Sequence, residues 1–170
     1  MPARTRRIHI IGASGSGTTT LGRALADALA IPHHDDDDYF HLPTTPPYQQ
    51  QRDVADRLRL MKEMFLGRPD WVLSGSLAGW GDPIIPLLDL VVFLYVPTEI
   101  RVRRLRERET RRGCLDEDFM EWASHYDEGT HEGRNLPLHE AWLRALPCPV
   151  LRLDGTLPVA ELVGMVLEVL

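Results

Sequence analysis

Gly12-Ala13-Ser14-Gly15-Ser16-Gly17-Thr18-Thr19 stands between a short apolar run, Ile8-His9-Ile10-Ile11, and a stretch in which Leu21, Leu25, Ala28 and Leu29 recur at helical spacing. Strand, glycine-rich turn and helix, in that order, is the arrangement a phosphate-binding loop requires. Glycines let the backbone fold tightly, so that successive N–H groups point at one anion. The helix N-terminus adds its dipole on the same side. Gly12, Ala13, Ser14, Gly15, Ser16, Gly17, Thr18 and Thr19 are therefore the expected nucleotide-binding residues, with the Thr19 hydroxyl placed to ligate Mg²⁺. A loop that only joins strand to helix would need neither three glycines at this spacing nor a threonine pair at its end.

One position breaks the usual pattern. Such loops end Gly-Lys-Ser/Thr, and here Thr18 stands where the lysine is expected. The lysine normally supplies a point charge to the β- and γ-phosphates, so another cation must replace it or chemistry at the loop is weakened.

Outward from the loop, short β-like runs alternate with longer helical ones, and neither repeats nor low-complexity linkers interrupt them. Strands are expected at Ile8–Ile11, Ile31–His34, Trp71–Leu73, Leu87–Val96 and Val150–Leu153. Between them lie helical stretches: Val54, Leu58, Met61 and Phe65 form a stripe within 49–66, a very basic helix runs from Thr98 to Arg112, another centres on 138–146, and the last begins at Val159. Five strands alternating with helices predict an α/β fold with a five-stranded parallel sheet covered on both faces.

With 170 residues and 44% hydrophobic content, one ordinary domain spanning 1–170 is expected. The formal net charge of −6 works against nucleic acid and anionic membranes as partners, since either needs an excess of basic surface. Met1–Arg7 carries three arginines, but the apolar run behind it is too short for a secretion signal. The longest apolar stretch, Ile84–Val96, is broken by Pro86 and Asp89 and falls short of the roughly 18 residues a membrane helix needs. Cys114 and Cys148 are too few for a disulfide framework, and a reducing cytoplasm is the expected setting. The histidines show no metal-type spacing and are assigned no role.

Taken with Asp35-Asp36-Asp37-Asp38 after the second strand, the arginine-rich helix to Arg112, and Leu153-Asp154-Gly155-Thr156 after the last strand, the loop gives the chain its resemblance. It resembles the nucleoside-monophosphate kinase and shikimate kinase group of P-loop proteins over nearly its whole length. The resemblance implies a Mg²⁺-dependent kinase that moves the γ-phosphoryl group of ATP to a small-molecule acceptor. Asp35 and Asp37 match the Asp-x-Asp pair that, in shikimate-kinase-like enzymes, supports the metal through water and binds the acceptor hydroxyl, although four consecutive aspartates leave the register open. It also implies an acceptor-binding insertion about 39–68, a lid about 109–135, and an adenine-cradling loop at 154–156.

Arg101, Arg104, Arg108 and Arg112 or Arg111 recur at spacings of three or four, so several guanidinium groups share one helical face. In the resemblance they are the lid cations that replace the missing lysine, with Arg108 at the transferring group, Arg104 and Arg112 on the nucleotide, and Arg134 a further lid candidate. Ser74–Gly81, with Trp80, Tyr39 and Phe40, is expected near the acceptor, or else these aromatics belong to core and rim. The segment lacks the Asp-Gly-x-Pro-Arg of a typical adenylate kinase. The absent lysine keeps a second reading open: a nucleotide-binding module without efficient chemistry.

Overall fold

The computed structural model describes residues 4–170; the first three residues of the basic N-terminal stretch lie outside the described residues. Five strands, β1 (Arg6–Gly12), β2 (His33–Asp35), β3 (Asp70–Ser74), β4 (Leu90–Tyr95) and β5 (Val150–Asp154), form one sheet. Their order is β2-β3-β1-β4-β5 and every pairing is parallel. The helices are α1 (Thr18–Leu29), α2 (Asp37–Phe40), α3 (Val54–Met61), α4 (Thr98–Arg112), α5 (Glu117–Ser124), α6 (Leu136–Arg144) and α7 (Val159–Leu167).

The central strands are apolar on both faces, as strands covered on both sides must be. Ile8, Ile10, Val72, Leu90, Val92 and Leu94 point to one side and pack with Leu21 and Leu25 of α1 and Leu162 and Val166 of α7. Ile11, Trp71, Leu73, Val91 and Phe93 point to the other, against Met61, Phe65 and Leu143. Burying a large aliphatic or aromatic side chain contributes about 1.5–3 kcal/mol, so this double layer is the main source of stability. His9 is a buried polar residue among these layers. Its Nδ1 lies 2.9 Å from the Leu73 carbonyl, its ring packs edge-on to Trp142, and burial pushes its pKa down to about 4, which keeps it neutral.

Element boundaries differ from the periodicity where side chains cap or break the chain. The helix expected within 49–66 starts at Val54 because the Asp53 carboxylate accepts from the Ala55 amide at 3.1 Å. It then widens into a π-helical turn over Lys62–Leu66. Its buried stripe runs through Arg57, Met61 and Phe65, while Val54 is 40% exposed. The strand expected over Leu87–Val96 begins only at Leu90. Pro83 and Pro86 hold Asp82–Leu87 as a 3₁₀ helix, and Asp89 turns out to accept from the Arg7 amide. The helix expected at 138–146 opens earlier, at Leu136, with the Asn135 side chain capping the Leu138 amide.

Arg101 is fully buried at the start of α4. It donates to the carbonyls of Val96 (3.0 Å) and Ala123 (3.1 Å), to the Thr98 hydroxyl (2.9 Å) and to Asp127 (3.3 Å). It ties α4 to the end of α5 above a small apolar cluster of Leu105, Met120 and Ala123. Replacing Arg101 with Ala strips two buried carbonyls of their donor and opens a cavity. The expected loss is about 3–5 kcal/mol in urea unfolding, and a loss below about 1 kcal/mol contradicts this structural role.

Candidate functional site

The glycine-rich loop leaves the C-terminal end of β1, the strand flanked by β3 and β4, and therefore sits at the carboxyl edge where open α/β sheets bind ligands. The Ser16 hydroxyl donates to the Ala13 carbonyl at 2.7 Å and pins the turn. Gly15 has φ +82°, and a Cβ there would meet the Arg101 carbonyl oxygen and Leu105 Cγ, each at 2.9 Å. Only glycine lets the loop lie this close to α4. Gly17 caps α1, and Thr18 and Thr19 form its first turn.

Across from Thr19 lies the end of β2. The Thr19 hydroxyl donates to Asp35 Oδ2 at 2.6 Å, and the other Asp35 oxygen accepts from the Asp37 amide at 3.1 Å. Hydroxyl and carboxylate oxygens are the hard donors that Mg²⁺ takes, so the residues fit that ion. Asp35, Asp36 and Asp37 each bring one carboxylate oxygen within 4.8 Å of the others.

The three carboxylates have separate environments. Asp37 is partly exposed, its side chain 4.0 Å from His41 Nε2. Burial and then the charge of Asp35 raise its pKa, and Arg134 opposes them. Asp36 is buried. Its Oδ2 accepts from the Ser76 amide at 2.6 Å, while its Oδ1 has no partner. Desolvation pushes its pKa up to about 8, against the pull of Arg134. Gly75 makes this contact possible, since a Cβ there would fall on the Asp36 carboxylate.

Beneath Ser76 lies a buried polar chain. Its Oγ is 3.0 Å from His139 Nε2, and His139 Nδ1 is 2.8 Å from the Tyr126 hydroxyl. Burial, reinforced by the charge of Arg134, lowers the His139 pKa to about 3, so the imidazole is neutral. Sequence reasoning missed Asp36, Arg57 and His139 as shapers of this edge, while Ser76 fell within the Ser74–Gly81 segment expected near the acceptor. Arg57 is buried with its guanidinium 3.7 Å from the Phe40 ring centroid and 5.2 Å from that of Trp80. Its Nε donates to the Arg52 carbonyl at 2.7 Å. The one available signal was a helical spacing of 57, 61 and 65, in which a charged residue occupied a core position. Tyr39 belongs to the core, its ring tilted against those of His34 and Phe65.

The arginines separate as well. Arg101, grouped by spacing with its neighbours, turns inward and leaves the shared face. Arg104 reaches the Gly155 carbonyl at 3.3 and 3.4 Å. That Asp154–Thr156 loop abuts the phosphate loop, since a Cβ on Gly155 would sit 3.1 Å from the Ser16 carbonyl oxygen. Arg108 and Arg112 both lie against Glu109, at 2.7 and 3.7 Å. The Tyr48 phenol, its pKa raised first by burial, feels both the charges of Asp37 and Asp35 and those of Arg112 and Arg108. Arg134 acts on Asp36, Asp37, His41 and His139.

The sequence model of the AAA-domain family matches residues 8–121, from β1 into α5. The chain is 41% identical over 176 residues to the protein YqaC of Bacillus subtilis (strain 168), covering 97% of each. It is 33% identical over 121 residues to the cytidylate kinase of Halobacterium salinarum, covering 61% of this chain and 59% of that protein. In fold, the shikimate kinase from Acinetobacter baumannii in complex with shikimate superposes with a TM-score of 0.63 at 18% identity, over 97% of this chain and 92% of that one. The chain belongs to the AAA-domain family, and through it to the P-loop NTPase and kinase superfamily, related to enzymes of the nucleoside-monophosphate-kinase type. Its sheet and flanking helices have that architecture. The relationship supports a nucleotide-binding phosphotransferase function in general.

His9 and His139 are neutral when folded because burial lowers their pKa values to about 4 and about 3, while unfolded imidazoles titrate near 6.5. Below pH 6.5 the unfolded chain therefore binds protons that the fold refuses, and stability present above pH 6.5 is lost as pH falls toward 4. His139→Gln should remove roughly half of the decline contributed by these two residues between pH 7 and pH 5 in thermal denaturation. An unchanged pH dependence argues against a buried, neutral His139.

Proposed function

We propose that the protein is a Mg²⁺-dependent kinase that transfers the γ-phosphoryl group of ATP to a hydroxyl of a small-molecule acceptor. The observation that carries this reading is the contact of Thr19, first turn of α1, with Asp35, last residue of β2, at 2.6 Å beside the glycine-rich loop. Thr19 and, through water, Asp35 would hold the ion, which would neutralise negative charge developing on the transferred group.

The chain's own residues then divide the work. Loop amides from Gly12 to Thr18 and the α1 N-terminus bind phosphate oxygens, and the Asp154–Thr156 loop with Arg104 borders the base and ribose side. Asp37, partly exposed with a raised pKa, orients the acceptor hydroxyl and takes its proton as the phosphoryl group moves. Asp36 holds the Ser74–Ser76 turn against β2 and so positions the acceptor side of the site. Arg108 and Arg112 supply the charge that Thr18 lacks; swinging from Glu109 onto the phosphates brings a planar fork suited to bidentate contact. Closure of residues about 109–135 excludes water and brings Arg134 beside the acceptor. Two unpaired cysteines fit a cytoplasmic setting.

The absent lysine and the pairing of Arg108 and Arg112 with Glu109 favour one rival, a module that binds nucleotide without efficient transfer. Turnover against a panel of hydroxyl-bearing metabolites separates them: tight ATP binding with neither transfer nor hydrolysis supports the module.

Asp35→Ala should leave the fold intact and reduce transfer by at least about 100-fold, the scale on which positioned acid–base and electrostatic groups act. Thr18→Lys should retain or strengthen ATP affinity. An active Asp35→Ala protein sinks the metal-supporting role.

A further inference from the structure

A second group of ligating side chains lies away from the acidic edge, at the end of α5. Glu121 and His125 are one helical turn apart, and His131 returns to them from the following loop. His125 Nε2 and His131 Nε2 each lie 3.9 Å from the same oxygen, Glu121 Oε1. One ligand atom from each of the three residues falls within 4.8 Å of the other two. The imidazole rings are stacked, with centroids 4.3 Å apart and planes 21° from parallel.

The other nitrogens of both rings are already engaged. His125 Nδ1 is 2.8 Å from Glu128 Oε2, and His131 Nδ1 is 3.1 Å from the Thr130 hydroxyl. With Nδ1–H donating to Glu128, the His125 lone pair lies on Nε2, the atom turned toward Glu121. A carboxylate behind a ligating imidazole is the usual device for fixing its tautomer and raising its basicity. Mutual ion pairing alone is a poor account of the cluster, because it needs protonated imidazoles and two stacked imidazolium rings repel.

We propose that Glu121, His125 and His131 form a site for a divalent transition-metal ion of the Zn²⁺ class, with His125 and His131 binding through Nε2 and Glu121 through a carboxylate oxygen. Two nitrogens and one oxygen select such an ion over Mg²⁺, and three protein ligands leave a position for water. The side chains of His125 and His131 are about a third exposed, which gives the ion a path from solvent.

The site would join α5 to the loop that leads to Arg134. That loop is also held where Trp122 Nε1 donates to the Glu132 carbonyl at 2.7 Å, and by the Gly129 amide on the His125 carbonyl and the Leu136 amide on the Tyr126 carbonyl. Arg134 follows two residues later, its guanidinium 5.9 Å from the Trp122 ring. A bound ion would restrict the segment that presents Arg134 to Asp36 and Asp37. The metal site itself stands on its own geometry and does not depend on the phosphotransfer reading.

The test is titration of the full chain with Co²⁺ in millimolar Mg²⁺, which saturates the hard-oxygen edge, following the visible ligand-field bands and then their loss on adding Zn²⁺. One Co²⁺ per chain with micromolar affinity is expected. His125→Ala and His131→Ala should each weaken binding by about tenfold or more, with unchanged circular dichroism. Cys114→Ser should leave the titration as it was. No saturable Co²⁺ binding, affinity unchanged from the native chain in both histidine variants, or loss of binding in Cys114→Ser overturns the proposal.

Discussion

Parallel pairing of β1 with both β3 and β4 is the constraint on which the rest of the structure depends. It places the end of β1 between the ends of its neighbours, so that the glycine-rich loop, the Ser74–Ser76 turn and the Tyr95–Val96 exit meet at one edge. β2, paired outside β3, adds Asp35 at the same level, in register with Ser74. A sheet buried on both faces can hold these ends rigidly only because its strands alternate two complete apolar layers. The loop conformation adds a second restraint, the close approach of Gly15 to the backbone of α4. Sheet and arginine-bearing helix are thereby coupled through the loop they both touch.

Charge is distributed unusually at this edge. Three consecutive carboxylates are held together, yet the loop beside them carries no lysine. Burial resolves part of the repulsion by raising the pKa of Asp36 and, less strongly, of Asp37. Arg134, from the loop before α6, opposes the remainder with its positive charge. Cationic charge near this edge thus comes from segments outside the sheet, so its position is tied to how those segments pack. Glu109, which holds Arg108 and Arg112 together, sets their resting position.

Much of this was legible in the sequence, and the reasons differ by residue. The loop at Gly12–Thr19 could be read because glycines, a preceding β-run and a following helical stripe are local signals. The α4 helix was legible from Thr98 to Arg112 because its arginines recur at helical spacing, and Gly113 ends it in a left-handed conformation. Asp35 came within reach as part of the acidic run closing the second strand, though four consecutive aspartates left its register open. Asp36 did not, because its burial depends on Gly75 and Ser76, forty residues away. Arg57 was hidden for the same reason: its partners, Phe40 and Trp80, come from other segments. Arg101 and Arg104 look alike on a helical wheel, but only the depth of Arg101 below α5 makes it structural. The histidine cluster needed the loop after α5 to fold back before residues 125 and 131 came together.

Calorimetric titration of ATP, with and without Mg²⁺, against the native chain and Gly17→Val tests the central claim most directly. Gly17 has φ +94°, where a β-branched residue is strained, and it opens the helix on which the phosphates would rest. Micromolar binding that Mg²⁺ strengthens and Gly17→Val abolishes is the predicted result. No binding at millimolar ATP would contradict the account, because the loop without its lysine would then not hold a nucleotide at all.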